Sequence, residues 1–410
     1  MNKITVIGGG AAGLMAAIAA AKNGAQVSLI EPNERLGKKI NITGKGRCNV
    51  TNDTDLEGLM AHIPRNGRFL YSALSHFTSR DTMAFFEGCG VPLKVERGDR
   101  VFPVSDSAFD ITDALKRQVK TLGVRWLHDR AASVETADGR VTAVTGEKGT
   151  YPADAVIVAT GGMSYPGTGS TGDGYRIAAA LGHPIVEPRG SLVPLVSDDD
   201  CCRHMQGLSL KNVELTVYNG KNKPVFREFG EMLFTHFGVS GPLVLSASAH
   251  LRDWGKEQYR LSIDLKPALD QQKLEARILR DISESPNRDV EKLLCGLVPH
   301  SMAPVMTRRL GFPPTLKANS LTKEQRRGLV ELLKHFAILV TGVRPVAEAI
   351  VTAGGVKVSE VKPNTMESKL VEGLYFAGEI LDVDAYTGGF NLQIAWATGH
   401  LAGVSAAERE

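Results

Sequence analysis

The sequence predicts an α/β protein built around a parallel sheet. Three observations lead to this fold class: a strand, a glycine turn and a helix open the chain, a second strand follows that helix, and two later strands also end in glycine turns. Single cores stop growing at about 250 to 300 residues. A chain of 410 residues is therefore expected to form two or three domains.

The first thirty residues contain the opening pattern. Lys3–Ile7 is a short run rich in β-branched residues, the alanine-rich stretch from Leu14 to Lys22 favours a helix, and Gln26–Ile30 is a second apolar run. A strand, a helix and a second strand in this order predict a βαβ unit, whose two strands lie parallel.

The turn between the first strand and the helix carries glycines at the spacing G-x-G-x-x-G. In this pattern the first glycine makes the turn, the second admits a diphosphate, and the third lets helix and strand pack closely. An acid about twenty residues further on binds the ribose hydroxyls. The residues that fit these roles, with the start of the helix, are Gly8, Gly10, Ala11, Ala12, Gly13 and Glu31. Taken alone, the pattern leaves FAD, NAD and a merely structural turn open.

The composition is that of a soluble globular protein. Hydrophobic residues make up 43% and charged residues 23% of the chain, and the net charge is only +3, which favours neither a nucleic-acid nor a membrane partner. The segment 271–334 differs, with 12 Lys and Arg against 7 Asp and Glu. No apolar run approaches about 18 residues and no charged leader precedes the first strand, so we expect neither membrane insertion nor export.

The five cysteines are odd in number and form no CxxC pair. This argues against a disulfide framework and for a reducing compartment, so we expect a cytoplasmic protein. Cys201 and Cys202 are adjacent and lack the usual spacing of metal ligands, and we expect no metal site.

Two further strands end in glycine turns. The run AVIVA at 155–159 precedes Thr160-Gly161-Gly162, and the run LYFA at 374–377 precedes Gly378-Glu379. Ligands of doubly wound sheets bind beyond the carboxyl ends of such strands. Three turns far apart in the chain would thus converge on one long ligand, and FAD is long enough to need all of them.

Several longer segments carry a resemblance to a known family. They are GKKINITGKGRCNVTN at 37–52, GDRVFPVSD at 98–106, VIVATGG at 156–162, MLFTHFGVSGP at 232–242, TAGGV at 352–356 and GLYFAGEILDVDAYTGGFNLQIAWATG at 373–399. In these segments, which span nearly the whole chain, the protein resembles the YhiN/BaiN-like flavoproteins. This family is also labelled aminoacetone oxidase family FAD-binding enzymes, or NAD(P)/FAD-dependent oxidoreductases.

The resemblance implies a Rossmann-like FAD-binding domain that is split in sequence, with a β-rich, barrel-like domain and a small helical domain inserted. We place the FAD-binding domain at 1–190 and 342–410, the β-rich domain at 191–265 with strands resuming near 336–344, and the helical domain at 266–335. The residues agree independently, because ELTVY and PVF are strand-like runs whereas 271–283 and 323–336 have helical periodicity.

The resemblance also implies which further residues contact FAD. They come from the loop 37–52, the later glycine turns and the start of the last helix, with one residue from the middle of the first domain. In chain order they are Lys38, Lys39, Thr43, Gly44, Arg47, Cys48, Asn49, Val134, Thr160, Gly161, Gly378, Glu379, Gly389, Asn391, Leu392 and Gln393. A solvated basic loop and a close-packed last helix are the alternatives for the first and last groups.

Three residues are candidates for catalysis: Asn49, Tyr386 and His236. Tyr386 lies beside a glycine turn, where it would cover the flavin, contact substrate or pack in the core. His236 is either a general acid near substrate or an ordinary loop histidine. Cys48 has no partner cysteine nearby in sequence, which favours a packing role over a redox role.

A second literal G-x-G-x-x-G occupies Gly167 to Gly172, followed by the helix-like GYRIAAALG and by Glu187. An NAD(P) site there requires a strand that leads directly into the glycines. The preceding run ends near Thr160, and PIVEP is poor strand material. We therefore do not expect a separate pyridine-nucleotide fold at this pattern.

The function implied by the resemblance is flavin-mediated hydride transfer to a small-molecule substrate, with FAD bound and NADH or NADPH as electron donor. We favour reduction of a conjugated carbon–carbon double bond in a steroid- or bile-acid-like substrate, because YSALSHF and GDRVFPVSD resemble the BaiN-like branch. Oxidation of a small amino ketone, action on RNA through the basic segment 271–334, and non-catalytic flavin sensing are the alternatives. Nucleic acid is not the expected partner, and the oligomeric state is left open.

Overall fold

The computed structural model describes residues 2–251, 254 and 257–409. The chain divides into two units, of which the first comprises Met1–Ser191 and Pro345–Glu410 and the second comprises Leu192–Arg344. The first unit is thus formed from both ends of the chain. The first unit is interrupted after Ser191 and resumes at Pro345, close to the boundaries at 190 and 342 that we expected from the sequence.

The secondary structure of the first unit alternates strands and helices. Its N-terminal part contains β1 (Lys3–Ile7), α1 (Ala11–Lys22), β2 (Gln26–Ile30), β3 (Thr51–Asn52), α2 (Leu56–Ala61), α3 (Gly67–His76), α4 (Ser79–Gly88), β4 (Leu93–Glu96), β5 (Arg100–Pro103), α5 (Ala108–Thr121), β6 (Arg125–Leu127), β7 (Ala131–Ala137), β8 (Arg140–Gly146), β9 (Thr150–Pro152), β10 (Ala155–Val158), α6 (Asp173–Ala180) and β11 (Ile185–Ser191).

The second unit and the C-terminal part of the first unit follow. The second unit contains β12 (Leu195–Val196), α7 (Cys201–His204), β13 (Ser209–Tyr218), β14 (Pro224–Thr235), β15 (Gly238–Ser240), α8 (Pro242–Ser248), β16 (Tyr259–Asp264), α9 (Gln271–Glu284), α10 (Val290–Leu294), α11 (Ala303–Arg309), α12 (Lys323–Lys334), β17 (Phe336–Val340) and β18 (Gly342–Val343). The chain then returns to the first unit with β19 (Val351–Val356), β20 (Leu374–Phe376) and α13 (Phe390–Ala407).

A five-stranded parallel sheet forms the centre of the first unit, with the strand order β20-β10-β1-β2-β6. The registers pair Ile7 with Ile30 and with Val158, and pair Val158 with Phe376. The carboxyl ends of these four strands therefore lie side by side at one edge of the sheet. All three predicted glycine turns follow strands that end at this edge.

Helices α1 and α13 pack together through small residues. A Cβ atom on Gly399 would lie 2.3 Å from the carbonyl oxygen of Ala12, and one on Gly403 would lie 2.3 Å from that of Ala16. Backbone thus meets backbone at this crossing, which leaves no space for larger side chains. The close contact places the middle of α13 beside the start of α1, next to the glycine turn after β1.

Three small antiparallel sheets complete the first unit: β3-β5-β4, β7-β8-β9 and β11-β19. The strand β11 lies where the sequence indicated poor strand material. Pro188 is tolerated there because the pairing with β19 shifts register between Val186 and Arg189, and such an irregularity needs no ladder hydrogen bond from proline.

The second unit is built on a seven-stranded antiparallel sheet, with the order β17-β16-β13-β14-β15-β12-β18. The strands at the two ends of this order, β17 and β18, are separated in the chain by Thr341 alone. The sheet therefore curves until its two ends meet, which gives the barrel-like form expected from the resemblance.

The helices α9 to α12 share a core with this sheet rather than forming a third unit. Leu274 and Ile278 of α9 and Leu329 of α12 belong to the same buried cluster as Leu215 of β13 and Phe336 of β17. The resemblance implied a small helical domain at 266–335. Helical periodicity alone shows which face of a helix is buried but not what covers it, so the sequence did not reveal this shared core.

The helices in the described part of the chain include none that could span a membrane.

Candidate active site

The glycine turn after β1 has the backbone features of a diphosphate-binding turn. Gly8 has a φ of 106°, and a Cβ atom on Gly13 would lie 1.8 Å from the carbonyl oxygen of Gly8, so both positions require glycine. A Cβ atom on Gly10 would meet nothing within 4 Å. No side chain caps the N-terminus of α1 at Gly10. The N–H groups of the first helical turn are thus available to an anion beside open space.

Glu31 directly follows β2 and lies beside this turn, because β1 and β2 are paired through their last residues. Only 8% of Glu31 is exposed. Its Oε2 atom accepts a hydrogen bond from the backbone N–H of Gly9 at 2.7 Å. Its Oε1 atom accepts from the backbone N–H of Asn33 at 2.8 Å and from the Asn33 side chain at 2.7 Å. A buried and oriented carboxylate therefore lies where the sequence predicts contacts with the ribose.

A polar network around Glu379 joins segments from four places in the chain. The Nζ atom of Lys39 lies 2.8 Å from Oε2 of Glu379 and 2.7 Å from Oγ of Ser164. The Oε1 atom of Glu379 accepts from the backbone N–H of Thr352 at 2.8 Å and from Ser164 at 3.0 Å. Gly162 is required beside this network, since a Cβ atom there would lie 2.3 Å from Oγ1 of Thr352.

Ser164 and Thr352 were not among the residues predicted for the site. Both adjoin quoted motifs, since Ser164 follows the VATGG turn by two residues and Thr352 opens TAGGV. A short hydroxyl side chain beside a glycine turn was the only signal in the sequence. This signal is common at turns without ligands, so it does not identify a site by itself.

Arg47 makes its contacts within the protein. Its guanidinium group pairs with the carboxylates of Glu96 and Asp106 and lies 4.1 Å from the ring centroid of Phe102. The two carboxylates come from the segments around β4 and β5. Arg47 therefore has two acidic partners and an aromatic neighbour within the protein, and its contact with FAD stays a prediction.

Cys48 and Asn49 form the end of the same loop. Cys48 is fully buried with a φ of 59°, and burial raises the pKa of its thiol to about 12. The neutral thiol is a poor nucleophile, so packing is the role the structure supports. The Oδ1 atom of Asn49 is buried and has no hydrogen-bond partner among the described residues, and the same holds for Oγ1 of Thr160 after β10.

The remaining residues predicted to contact FAD lie in varied surroundings. Lys38 is exposed, whereas Val134 is buried in β7 opposite Val144. The hydroxyl group of Thr43 donates to the carbonyl oxygen of Ile40 at 2.7 Å. Three glycines adopt left-handed backbone conformations that suit close turns: Gly44, Gly161 and Gly378.

The residues at the start of α13 are the last part of the candidate site in chain order. Gly389 has a φ of 98°, and a Cβ atom there would lie 2.3 Å from the carbonyl oxygen of Thr51. The Asn391 side chain accepts from the backbone N–H of Ala385 at 2.9 Å and donates to the carbonyl oxygen of Ala385 at 2.8 Å. Leu392 is half-buried. Asn391 thus fixes the approach to the helix, while the backbone N–H groups at the helix start have no side-chain cap.

Gln393 uses its side chain for contacts within the protein. Its side chain is fully buried. Its Oε1 atom accepts hydrogen bonds from Thr51 at 2.7 Å and Thr82 at 2.8 Å, and its Nε2 atom donates to the carbonyl oxygen of Phe77 at 2.8 Å. The side chain therefore joins α13 to its neighbours, and any contact with a cofactor would have to come from its backbone.

Tyr386 has a neighbour that the sequence did not indicate. The ring centroid of His62 lies 5.9 Å from that of Tyr386, and the His62 ring stacks on Phe390 at 4.2 Å. The backbone N–H of Tyr386 donates to the carbonyl oxygen of His62 at 3.0 Å. His236, the other histidine considered, is exposed in the second unit between β14 and β15, beside Phe237.

The second glycine pattern does not lie between parallel strands. Its glycines lead into α6, but the next strand, β11, pairs antiparallel with β19 and does not join the central sheet. A dinucleotide-binding βαβ unit needs two parallel strands in one sheet. The structure therefore agrees with the expectation that no separate pyridine-nucleotide fold is present at Gly167 to Gly172.

The fold and the three converging turns define the class of protein. The chain matches the HI0933-like protein Rossmann domain over residues 2–405, and it belongs to this family. This is a family of FAD-binding flavoenzymes, so the protein is an FAD-dependent oxidoreductase. The resemblance to YhiN/BaiN-like flavoproteins is thereby confirmed.

Several relatives match over nearly their whole length. The chain is 33% identical over 416 residues to the 3-dehydro-bile acid delta(4,6)-reductase of Clostridium scindens, covering 100% of both chains. It is also 33% identical over 407 residues to the ribosomal RNA dihydrouridine synthase of Haemophilus influenzae, covering 98% of this chain and 97% of the relative. Among solved structures, 3-ketosteroid-Δ4-(5α)-dehydrogenase from Rhodococcus jostii RHA1 has the same fold, with a TM-score of 0.54 and 16% identity over 100% of this chain and 97% of that chain.

The residues present fit FAD. The open space at Gly10 beside uncapped helical N–H groups suits a diphosphate, and the Glu31 carboxylate suits ribose hydroxyls. The buried oxygens of Asn49 and Thr160 lack partners among the described residues and lie in the segments predicted to contact FAD. A buried polar atom without a partner is costly, which is explained if a ligand supplies the hydrogen bond.

Proposed function

We propose that the protein is an NAD(P)H-linked reductase of a carbon–carbon double bond conjugated to a carbonyl group, with a steroid- or bile-acid-like substrate. The observation that carries this proposal is the full-length similarity to the bile-acid reductase of Clostridium scindens. The reaction adds a hydride to the β carbon and a proton to the α carbon, while NAD(P)H is oxidised to NAD(P)⁺. FAD, when bound, supplies the hydride.

We assign the proton that reaches the α carbon to side chains of the protein. Tyr386 and His62 are the donors we assign, because their rings lie 5.9 Å apart and the His62 ring stacks on Phe390, the first residue of α13. The Nδ1 atom of His62 lies 2.7 Å from the carbonyl oxygen of Gly58. A carbonyl oxygen only accepts, so Nδ1 carries the hydrogen and Nε2 is the nitrogen that exchanges a proton. Asn49 and His236 remain the other candidates.

Uridine in RNA is a second candidate substrate, since the Haemophilus influenzae relative is a ribosomal RNA dihydrouridine synthase. The C5=C6 bond of uracil is also conjugated to a carbonyl group, so the same chemistry serves both substrates. The structural observation that favours RNA is a groove of about 740 Å³ in the second unit, lined in part by Lys211, Lys266 and Phe229.

This groove combines positive charge with an exposed aromatic ring. Phe229 is 56% exposed. Lys211 lies in an irregularity of β13, where the register with β14 shifts between Leu210 and Val213, and such irregularities redirect side chains. Within the described part of the chain, neither Lys211 nor Lys266 has an ion pair, and burial lowers the pKa of Lys266. Unpaired lysines would bind phosphates and the ring would stack on a base.

The first experiment separates the chemical classes. The FAD-loaded protein is reduced anaerobically with NADH or NADPH, and reoxidation is followed by flavin absorbance with a 3-oxo-Δ4 bile acid, unmodified ribosomal RNA, or oxygen. Fast reoxidation by the bile acid is the expected result. Fast reoxidation by oxygen, with turnover of a small amino ketone, would favour the oxidase. Failure of every acceptor would favour a flavin sensor and contradict the proposal.

A second experiment tests the groove. Lys211→Gln/Lys266→Gln should weaken salt-dependent binding of a single-stranded uridine-rich RNA by about tenfold or more if RNA is the substrate, because each phosphate contact releases counterions. Lys221→Gln/Lys223→Gln removes two exposed charges at the turn between β13 and β14 and serves as the matched control. Equal loss in both variants, or no RNA binding by the parent protein, excludes the groove as an RNA site.

A further inference from the structure

The loop from Tyr165 to Gly172 holds the second G-x-G-x-x-G pattern, yet it does not belong to a dinucleotide-binding βαβ unit. Three of its residues have left-handed backbone conformations: Tyr165 with a φ of 50°, Gly169 with 104° and Gly172 with 84°. The loop is therefore sharply folded before α6 begins. What it contacts indicates a different use.

Asn33 connects this loop to Glu31. The Nδ2 atom of Asn33 donates to Oε1 of Glu31 at 2.7 Å and to the carbonyl oxygen of Thr168 at 3.2 Å. Both amide hydrogens of Asn33 are therefore used, one on each side. A Cβ atom on Gly169 would lie 2.5 Å from Nδ2 of Asn33, so the loop needs glycine there to approach the amide this closely.

The contact with the loop determines which way the Asn33 amide points. If the amide were flipped, its oxygen would face both the Glu31 carboxylate and the Thr168 carbonyl, which are acceptors only. Only 8% of Glu31 is exposed, so its negative charge depends on N–H donors for stabilisation. Of the donors it has, the two on Oε1 both come from Asn33. Each carboxylate oxygen accepts more than one hydrogen bond, so capacity for hydroxyl donors remains.

We propose that Asn33 and the loop Tyr165–Gly172 position the Glu31 carboxylate, so that the second glycine pattern sets the affinity for the adenosine half of FAD and binds no nucleotide of its own. Asn33 and Gly169 are positioning residues in this proposal, since they act through Glu31. The proposal rests on the assignment of Glu31 to the ribose hydroxyls. It is independent of which substrate the enzyme reduces.

The test measures FAD affinity of the apoprotein by quenching of flavin fluorescence. Asn33→Ala should weaken FAD binding about 10- to 100-fold, the range expected for lost hydrogen bonds to a charged group. Gly169→Ala should act in the same direction. Gly167→Ala is the matched control from the same pattern, because a Cβ atom there meets nothing within 4 Å and its φ is not left-handed, and it should leave affinity unchanged.

A double-mutant cycle distinguishes positioning from a general structural effect. If Asn33 acts through Glu31, Asn33→Ala should cost much less in the Glu31→Gln background than in the parent protein. Additive losses, or an unchanged affinity in Asn33→Ala, would overturn the proposal. An unchanged affinity in Glu31→Gln would instead refute the ribose assignment. Circular dichroism of each apoprotein identifies variants that fail to fold. If Asn33→Ala does not fold, Asn33→Asp provides the second test. This variant replaces a hydrogen-bond donor by a negative charge and should weaken FAD binding further.

Discussion

Replacement of Gln393 by Leu tests whether this residue binds the cofactor or holds the fold together. The side chain is fully buried, and its amide makes three hydrogen bonds, to the hydroxyl groups of Thr51 and Thr82 and to the carbonyl oxygen of Phe77. Leu has a similar volume, so lost hydrogen bonds and not a cavity should dominate the effect. We expect Gln393→Leu to destabilise the apoprotein.

The size of this effect follows from the three groups left without partners. A buried donor or acceptor that loses its partner costs about 1 to 3 kcal/mol. The Thr51 hydroxyl can still turn toward Oγ of Ser79, which lies 3.3 Å away, and we expect a loss of about 3 to 6 kcal/mol in total. For a unit of this size, each kcal/mol lowers Tm by about 2 to 4 °C, so the apoprotein should melt roughly 6 to 24 °C lower.

The assay is thermal and urea unfolding of the apoprotein, followed by FAD titration of the folded variant. Gln272→Leu, at an exposed position of α9, controls for the change from amide to aliphatic side chain. The expected result is a lower Tm for Gln393→Leu and an unchanged Tm for the control. An apoprotein of parental stability that no longer retains FAD would refute this reasoning, and would show that the side chain contacts the cofactor.

Two other predictions follow from burial and backbone contacts. Gly13→Ala should yield little folded protein, because its Cβ atom would lie 1.8 Å from the Gly8 carbonyl oxygen. Gly10→Asp should fold, as seen by circular dichroism, but lose FAD. A fully yellow Gly10→Asp protein would contradict the assigned turn. The buried Cys48 thiol, with its pKa raised to about 12, should react with iodoacetamide at pH 8 far more slowly in native than in unfolded protein. The ordinary pKa of a cysteine thiol is about 8.5. The contribution of the Cys48 thiol to stability is therefore complete below that pH and declines as pH rises toward 12, which urea midpoints measure. Equal labelling rates in native and unfolded protein would contradict the burial of Cys48.

The parts of the fold that local signals determine were predictable. Lys3–Ile7 and Gln26–Ile30 are strands with the expected bounds, and α9 and α12 lie where helical periodicity indicated. Each of these segments is bounded by glycine or by a helix cap such as the Asp270 side chain, which accepts from Lys273 N–H. Such signals act over a few residues, so one sequence suffices to find them.

The parts that depend on distant contacts were not predictable in the same way. Gln393 follows a glycine turn that suits a cofactor, but its amide partners lie more than three hundred residues away in sequence. Arg47 lies in a loop of the right composition, yet Glu96 and Asp106 take its charge. A residue type shows what bonds a side chain can make, and only the fold decides which partner it reaches.

Glu379 shows how distant contacts require a particular side-chain length. Its carboxylate reaches both the Lys39 ammonium at 2.8 Å and the backbone N–H of Thr352 at 2.8 Å. Removal of one methylene group would shorten its reach by about 1.5 Å, the length of one carbon–carbon bond, and it could not keep both partners at hydrogen-bonding distance without backbone movement. The length of Glu379 is therefore tied to Lys39 and to the close approach of Thr352 that Gly162 permits, so these residues form one structural unit within the cofactor region.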